Sequence, residues 1–527
     1  MTSRTVRDTT LDLWRRSGLT RIFSNPGSTE ITLLTDLPAD FAFVLGLHEG
    51  SVVGMATGYA LARDRPALVV LHTTAGLGNA VGALATARVN RAPLVVVVGQ
   101  QDRRHLANAP FLSGRLRDLC GDYPVSVAEP ARAADVPATL AQAQALAVAR
   151  RGPALVVVPM NDWNEPYDDD LELAAPQDVL TAWSVDERAV DHLAGRLREA
   201  TAPAIVAGAD ADRQECWTGL ERVADALDCP VWQEPFGARA GFRQDAPRFA
   251  GHLPSDRTRL REALAGRDLV VFVGAPAVRQ YAFDRGRLFA EGTEVIVVGE
   301  DLDDLATSTA ATAVHGPLGP LCTALGRRFE QRAPATTSSG RAPATAPDPA
   351  QPMTAEGVFA MLAERLPADT IVIEESPSTR LALSRHLPAR QPLGFLSAAM
   401  GGLGFALPAA VGLRMGRQDR PVLSVVGDGS AMYQIQALWS AQHYSVGVCF
   451  IVLSNGGYAI MDQLADRAGG KPPWPNTFGL RIDEIARGMG CAATRVENYA
   501  ELAMALATST VGLASASRPQ LIDIVVR

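Results

Sequence analysis

The sequence has no C-x-x-C pair, and its six cysteines, Cys120, Cys216, Cys229, Cys322, Cys449 and Cys491, are widely spaced. That spacing argues against a thiolate metal site and a disulfide framework, so the thiols are expected to be reduced, packed in cores and cytoplasmic. No apolar run approaches the roughly 20 residues that cross a bilayer, so no membrane partner is expected. The most apolar runs, such as Pro93–Gly99, read instead as buried parallel strands. The N-terminal MTSRTVRDTT lacks the apolar stretch of a signal peptide. Net charge is −8 and no basic stripe stands out, which argues against a nucleic-acid partner. No G-x-G-x-x-G with a downstream acid is visible, and neither NAD nor FAD is expected. No short-period repeat occurs.

What the chain does have is length and a globular balance: 527 residues, 47% hydrophobic and 20% charged. That is too long for one hydrophobic core and predicts roughly three domains. FAFVLGL, PALVVLH, APLVVVVGQ and PALVVVP alternate with alanine-rich helical stretches up to about residue 170. A second set, PAIVAGAD, DLVVFVGAP and TEVIVVGED, fades near residue 330, and a third contains TIVIEES, PVLSVVGDGS, VCFIVLSN and PQLIDIVV. Short apolar strands alternating with helices imply parallel sheets covered by helices. The predicted class is α/β, with three tandem doubly wound parallel-sheet domains at 1–175, 183–330 and 353–527. Residues 331–352, QRAPATTSSGRAPATAPDPAQP, cannot build a core and read as an exposed linker.

The most informative run is residues 425–458, VVGDGSAMYQIQALWSAQHYSVGVCFIVLSNGGY. A strand turns at Gly427-Asp428-Gly429 into a helix, and a second strand ends at Ser454-Asn455-Gly456-Gly457. Each strand delivers an oxygen-bearing side chain, Asp428 or Asn455, at its carboxyl end, the edge where open α/β sheets bind ligands. A carboxylate, an amide oxygen and a backbone carbonyl form a sparse oxygen set, suited to Mg²⁺ when a diphosphate supplies further oxygens. Gly427 and Gly429 allow close backbone approach to that diphosphate, and Ser430 adds a hydroxyl and free N–H groups at a helix start.

GDG, about 26 intervening residues and then Asn resembles the metal-diphosphate motif of thiamine-diphosphate-dependent enzymes. The resemblance implies a thiamine-diphosphate-binding fold with a Rossmann-like middle domain, and the cofactors thiamine diphosphate and Mg²⁺ (or Ca²⁺). Asp428, Asn455 and the Gly457 carbonyl would hold the metal. The usual Asn-Asn pair is Ser454-Asn455 here. Such enzymes also need a buried carboxylate on the cofactor's pyrimidine nitrogen, to promote the imino tautomer that removes the thiazolium C2 proton. By residue type alone, Glu49 in VLGLHEGSVVGMATGYALA is a helix-dipole partner or cap. By resemblance, with Gly58-Tyr59-Ala60 following, it is the activating glutamate.

NPGSTE (25–30), LHTTAGLGNAVGAL (71–84), GQQ (99–101), EESPST (374–379), GGLGFALPAAVG (401–412) and GDGSAMYQIQALW (427–439) resemble the benzoylformate decarboxylase branch over nearly the whole chain. In that branch Ser28 would bind the substrate carboxylate and His72 would transfer a proton at the reacting carbon. Gly401 would meet the pyrimidine amino group and Leu403 would wedge the cofactor into its bent form. Asn25, Pro26, Gly27, Ser376, Pro377, Ser378, Tyr433, Tyr458 and Ile460 complete the implied cofactor contacts. Read without the resemblance, Ser28 is a turn residue and His72 a core histidine.

Several positions depart from the branch. Tyr281 stands where a second histidine is expected, and a phenol is a poorer proton shuttle near neutral pH. Ser397 and Leu464 replace aromatics, Ile460 replaces a small residue and Arg380 a neutral hydroxyl residue. With Met461, these side chains imply a less aromatic and more cationic pocket, open to an aliphatic or additionally anionic substrate. Arg380 could instead face solvent or pair with an acid. The leading function is nonoxidative decarboxylation of a 2-oxo acid, benzoylformate-like, to an aldehyde and CO2. The alternatives are a carboligase or lyase that forms acyloins, and a noncatalytic cofactor-binding partner subunit. Glu49 and Asp428 lie about 380 residues apart. In this family the first segment of one subunit meets the third of another, which implies a homodimer or homotetramer with sites between subunits.

Overall fold

The computed structural model describes residues 4–168, 184–330, 347–475, 479–510 and 512–527. Most of the expected linker, and the boundary expected near residues 175–183, lie outside the described residues.

Each apolar run singled out in the sequence is the core of a strand. The first sheet contains β1 (Arg21–Asn25), β2 (Ala42–Leu45), β3 (Ala67–His72), β4 (Leu94–Gln100), β5 (Ser126–Ala128) and β6 (Pro153–Pro159), in the order β2-β1-β3-β4-β6-β5. Every residue of β4 and β6 is buried, because helices cover both faces of a parallel sheet and no polar alternation is needed. The second sheet contains β7 (Pro203–Ala207), β8 (Val231–Gln233), β9 (Phe249–His252), β10 (Leu269–Val273), β11 (Glu294–Gly299) and β12 (Thr312–His315), in the order β12-β11-β10-β7-β8-β9. That is the doubly wound order of a Rossmann sheet.

The third sheet contains β13 (Ile371–Glu375), β14 (Phe395–Ser397), β15 (Val422–Gly427), β16 (Cys449–Ser454), β17 (Ala492–Val496) and β18 (Gln520–Val525). Its order, β14-β13-β15-β16-β18-β17, repeats that of the first sheet strand for strand. The first and third segments therefore share one topology, and the middle segment has another. The sequence predicted three alternating units but not this pairing, because strand order depends on which edge each crossover returns to.

The chain forms two compact units. One contains the described residues up to Leu180 together with Ile373–Pro377 and Ala398–Arg527; the other contains those of Thr181–Val372 and Ser378–Ser397. The first unit is held together by two helices, Glu49–Arg63 and Ala406–Gly416, packed side by side. A Cβ on Gly58 would lie 2.1 Å from the Ala409 carbonyl oxygen, and one on Gly412 would lie 1.7 Å from that of Met55. The backbones touch, so glycine is required on both faces of the contact. This contact fixes the start of the Glu49 helix within its unit.

Candidate active site

In the first and third sheets the chain leaves its opening strand toward one edge and returns on the other side. The switch points lie between β1 and β3 and between β13 and β15. Loops leaving such neighbouring strands diverge to opposite faces and open a crevice at the carboxyl edge. Asn25 ends β1 and His72 ends β3, while Glu375 ends β13 and Gly427 ends β15. Asn25 and His72 thus stand at the switch point of the first sheet, and Asp428 follows a strand that flanks the switch point of the third.

At the first switch point Glu49 is buried as the first residue of its helix, behind the cap His48, whose Nδ1 accepts the Gly50 N–H at 3.0 Å. Its two carboxylate oxygens each accept one side-chain amide hydrogen, from Asn25 Nδ2 at 3.1 Å and Asn79 Nδ2 at 3.0 Å. Asn79 carries no local signal of this role, although it stands within LHTTAGLGNAVGAL. One turn and a half into its helix, only the fold brings it beside Glu49.

His72 has partners that its sequence neighbours do not announce. Its Nδ1 lies 3.0 Å from Glu30 Oε2 and 3.0 Å from Thr29 Oγ1. The Thr29 hydroxyl donates to the other oxygen of Glu30, whose Oε2 also accepts the Gly27 N–H at 2.8 Å. Glu30 is 1% exposed. A carboxylate and a hydroxyl that has already donated its proton both face Nδ1, an arrangement that favours the tautomer with its hydrogen on Nδ1. Ser28 is exposed and opens the short helical turn Ser28–Glu30.

Gly27 sits against this ring: a Cβ there would lie 2.3 Å from His72 Cγ. Its φ of −119° and ψ of −159° suit any residue, so Gly27→Ala strains the ring rather than the backbone. We expect Gly27→Ala to lower kcat by about a hundredfold, the scale of an ångström misplacement of a reacting group. Thermal stability should fall by about 1–3 kcal/mol, the usual cost of overpacking, so kcat is read on protein shown to be folded and saturated with cofactor. Unchanged kcat in a folded variant would mean that the ring position is immaterial.

Beside the second switch point, at the carboxyl ends of β15 and β16, the two halves of the GDG…N motif meet. Gly427 pairs with Leu453 across β15 and β16, which places Asp428 and Asn455 on adjoining loops. Asp428 Oδ1 accepts the Gly429 N–H at 2.9 Å, and its Oδ2 accepts that of Gly456 at 3.0 Å, tying one loop to the other. Asp428 is 3% exposed, and burial raises its pKa from the usual carboxylate value against those two N–H bonds, with buried Asp523 adding to the rise. Asn455 is exposed, with its Oδ1 accepting the Gly457 N–H at 3.1 Å. The Ser454 departure also has a structural partner, since its hydroxyl donates to Asp523 Oδ1 on the neighbouring β18. Ser430 is buried, and Tyr433 is half exposed beside Tyr458.

The remaining candidates are placed as follows. Ser376 is buried, and Pro377 and Ser378 are exposed. Gly401 has a φ of 73°, and Leu403 is partly buried. Ile460, Met461 and Leu464 lie on the helix Ala459–Arg467, none of whose residues is buried. Tyr281, Arg380 and Ser397 belong to the other compact unit. Tyr281 is 69% exposed, and Ser397 is fully buried with its hydroxyl donating to the Gly237 carbonyl at 3.4 Å. Arg380 lines a narrow cleft with Gln233, Glu234, Arg239, His252 and Phe395.

The comparisons with known proteins agree with this geometry. Residues 4–117 match the family described as "Thiamine pyrophosphate enzyme, N-terminal TPP binding domain". Residues 190–325 match its central domain and residues 378–524 its C-terminal TPP binding domain. The chain belongs to the thiamine pyrophosphate (thiamine diphosphate) enzyme family. Within that family it stands in the benzoylformate decarboxylase branch. It is 36% identical to benzoylformate decarboxylase of Pseudomonas aeruginosa, over 99% of this chain and 98% of the relative. The crystal structure of benzoylformate decarboxylase from Polynucleobacter necessarius is similar with a TM-score of 0.92 and 32% identity, over 99% of this chain and 98% of the other. The thiamine diphosphate-dependent 4-hydroxybenzoylformate decarboxylase of Rhodococcus jostii has a TM-score of 0.92 and 33% identity, over 99% of both chains.

Proposed function

We propose that the chain catalyses thiamine-diphosphate-dependent, nonoxidative decarboxylation of a 2-oxo acid, giving an aldehyde and CO2. The observation that carries this reading is the convergence of Asn25, Glu49 and His72 at the switch point of the first sheet, and of Asp428 and Asn455 at the carboxyl ends of neighbouring strands in a sheet of the same order. When bound, the cofactor supplies an electron sink for the charge left as the substrate's carboxylate departs.

The residues fit that group. Asp428, Asn455 and the Gly457 carbonyl would hold Mg²⁺ (or Ca²⁺), since all three donors are oxygens and Asp428 retains lone pairs beyond its two N–H bonds. A nearby cation also reverses the cost that burial imposes on the charged form of Asp428. Ser430 and the Gly427–Gly429 backbone would meet the diphosphate. Glu49 would hold a proton at the pyrimidine nitrogen, with Asn25 and Asn79 fixing its carboxylate plane. Gly401 would take the pyrimidine amino group and Leu403 the bend between the rings. Ser28 would bind the substrate carboxylate, and His72 Nε2 would exchange the proton at the reacting carbon. The substrate we propose is a benzoylformate-like 2-oxo acid; the side chains at Ile460, Met461 and Leu464 also admit an aliphatic one.

We infer domains at 1–175, 183–330 and 353–527, and a homodimer or homotetramer in which Glu49 of one subunit meets Asp428 of another. The partners of Glu49 lie in the first segment and those of Asp428 in the third, so each half of the site is built within its own segment. We place the protein in the cytoplasm, consistent with six unpaired, buried cysteines. Among the described residues, no helix is long and apolar enough to cross a membrane.

The test is CO2 release from a panel of aromatic, aliphatic and dicarboxylic 2-oxo acids, with cofactor and Mg²⁺, in the presence and absence of an acceptor aldehyde. Aldehyde as the main product supports decarboxylation, and acyloin as the main product makes the enzyme a carboligase. No turnover of any panel member by cofactor-loaded protein would overturn the proposal.

A further inference from the structure

The sequence motif EESPST contains a group that the proposed reaction leaves unused. Glu375, at the end of β13, is 5% exposed and has no cationic partner among its hydrogen bonds. Its Oε1 accepts the Gly404 N–H at 2.6 Å, and its Oε2 accepts those of Phe405 at 2.7 Å and Ala406 at 2.6 Å. These are the first amides of the helix Ala406–Gly416 and of the turn that leads into it. They would otherwise be unsatisfied.

The turn held in this way is not an ordinary helix entry. Gly401 and Gly404 have φ values of 73° and 92° on either side of Gly402 and Leu403. A Cβ on Gly404 would lie 2.7 Å from Gln434 Cγ and 3.0 Å from Tyr433 Cβ, so the turn is seated directly on the segment that follows Asp428–Ala431. One carboxylate thus holds the backbone that follows Leu403, and the turn packs on Tyr433 and Gln434, just beyond the proposed diphosphate ligands.

We propose that Glu375 is a positioning residue for the cofactor: by holding three consecutive amides it fixes the Gly401–Gly404 turn against Tyr433 and Gln434, and with the turn Leu403, which would support the bound cofactor. This rests on the reading of Leu403 and Asp428 given above. The clamp is costly to keep. Burial pushes the Glu375 pKa up to about 7, against the pull of the three amides, and Glu374, 1% exposed, lies beside it. A residue that only capped a helix could be a serine or an exposed aspartate, without a buried charge.

Glu375→Gln retains the shape but offers one acceptor oxygen and one NH2 to three N–H donors. The binding of thiamine diphosphate with Mg²⁺, followed by calorimetry, should weaken at least about tenfold. The near-UV circular dichroism of the bound cofactor should change, because it reports the angle between the two rings. Melting of the cofactor-free protein should move much less than melting of the loaded protein. Glu375→Asp, which keeps the charge on a shorter stem, should fall between wild type and Glu375→Gln, and it serves as the second variant if the amide folds poorly.

The sharper test is a cycle with Leu403→Ala. If Glu375 acts through the turn, Glu375→Gln should cost little more affinity in the Leu403→Ala background than Leu403→Ala alone. Additive losses, or wild-type affinity and dichroism in both Glu375 variants, would overturn the proposal. Asp428→Ala run in parallel separates the two levels. If it loses the cofactor while the Glu375 variants keep it, the clamp falls and the site stands; if Asp428→Ala also keeps it, the site reading itself falls.

Discussion

Asp428→Ala should reduce the affinity for thiamine diphosphate with Mg²⁺ by at least about a hundredfold, since loss even of a residue behind a metal ligand costs about 10–100-fold. Asp428 is the one anionic protein ligand in the proposed set, and the other two donors are neutral oxygens that cannot balance a divalent cation beside a diphosphate. The fold should survive. Asp428 makes only two backbone hydrogen bonds, to Gly429 and Gly456, and removing its carboxyl also removes the burial penalty on its charge. Melting of the cofactor-free protein should therefore shift by only a few degrees, as expected for about 1 kcal/mol in a domain of moderate size. The stabilisation that the cofactor gives wild type should disappear in the variant. The measurement is calorimetric titration with Mg²⁺ held constant, beside thermal melts with and without cofactor. Wild-type affinity in the variant would sink the metal assignment.

Glu49→Gln separates binding from chemistry. Glutamine fills the same volume, and a flipped Asn25 or Asn79 amide can accept from the new NH2, so the local hydrogen bonds can re-form. What is lost is a group able to exchange a proton with the pyrimidine nitrogen. Hydrogen–deuterium exchange at C2 of the bound thiazolium should slow by about 10²–10⁴-fold, the usual worth of a positioned acid or base. Cofactor affinity should change far less, because the diphosphate and metal contacts are elsewhere. If Glu49 merely supported its helix terminus, the result would be the reverse: a stability loss of roughly 0.3–1 kcal/mol with exchange intact. Wild-type exchange in a saturated variant would remove Glu49 from the mechanism. The same variant tests the shared site. Chains carrying Glu49→Gln, dissociated and reassembled with chains carrying Asp428→Ala, should regain about a quarter of wild-type activity, since half the dimers are mixed and each mixed dimer has one intact site. No recovery in dimers shown to be mixed would place both residues in one subunit's site.

The residues proposed for the site from sequence share a property. Asp428 and Asn455 follow the two paired strands of one strand–helix–strand unit, so a fixed spacing along the chain brings them onto adjoining loops. Glu49 is followed within its own helix by Gly58, whose missing side chain is demanded by the contact with Ala409. The local pattern there records a tertiary constraint. The alternation of buried strands with helices was legible for the same reason, because a strand covered on both faces must be apolar throughout and shows as an unbroken run.

Glu30, Asn79 and Glu375 could not be assigned in this way, although each stands inside a motif that drew notice. Glu30 matters because β1 and β3 pair in a register that puts His72 beside the turn after β1. Asn79 matters because its helix brings it against the start of another, and Glu375 because β13 ends opposite the amides of a helix about 30 residues later. The same holds for the equal strand order of the first and third sheets, and for the union of those two segments in one compact unit. Composition and periodicity determined that this chain forms parallel α/β layers, and short motifs carry its resemblance to thiamine-diphosphate enzymes, since both lie within single elements or neighbouring strands. Which acids stand behind the histidine and the cofactor turn was decided only by tertiary structure, because a hydrogen bond between distant residues depends on strand register and helix placement, and neither leaves a local signature.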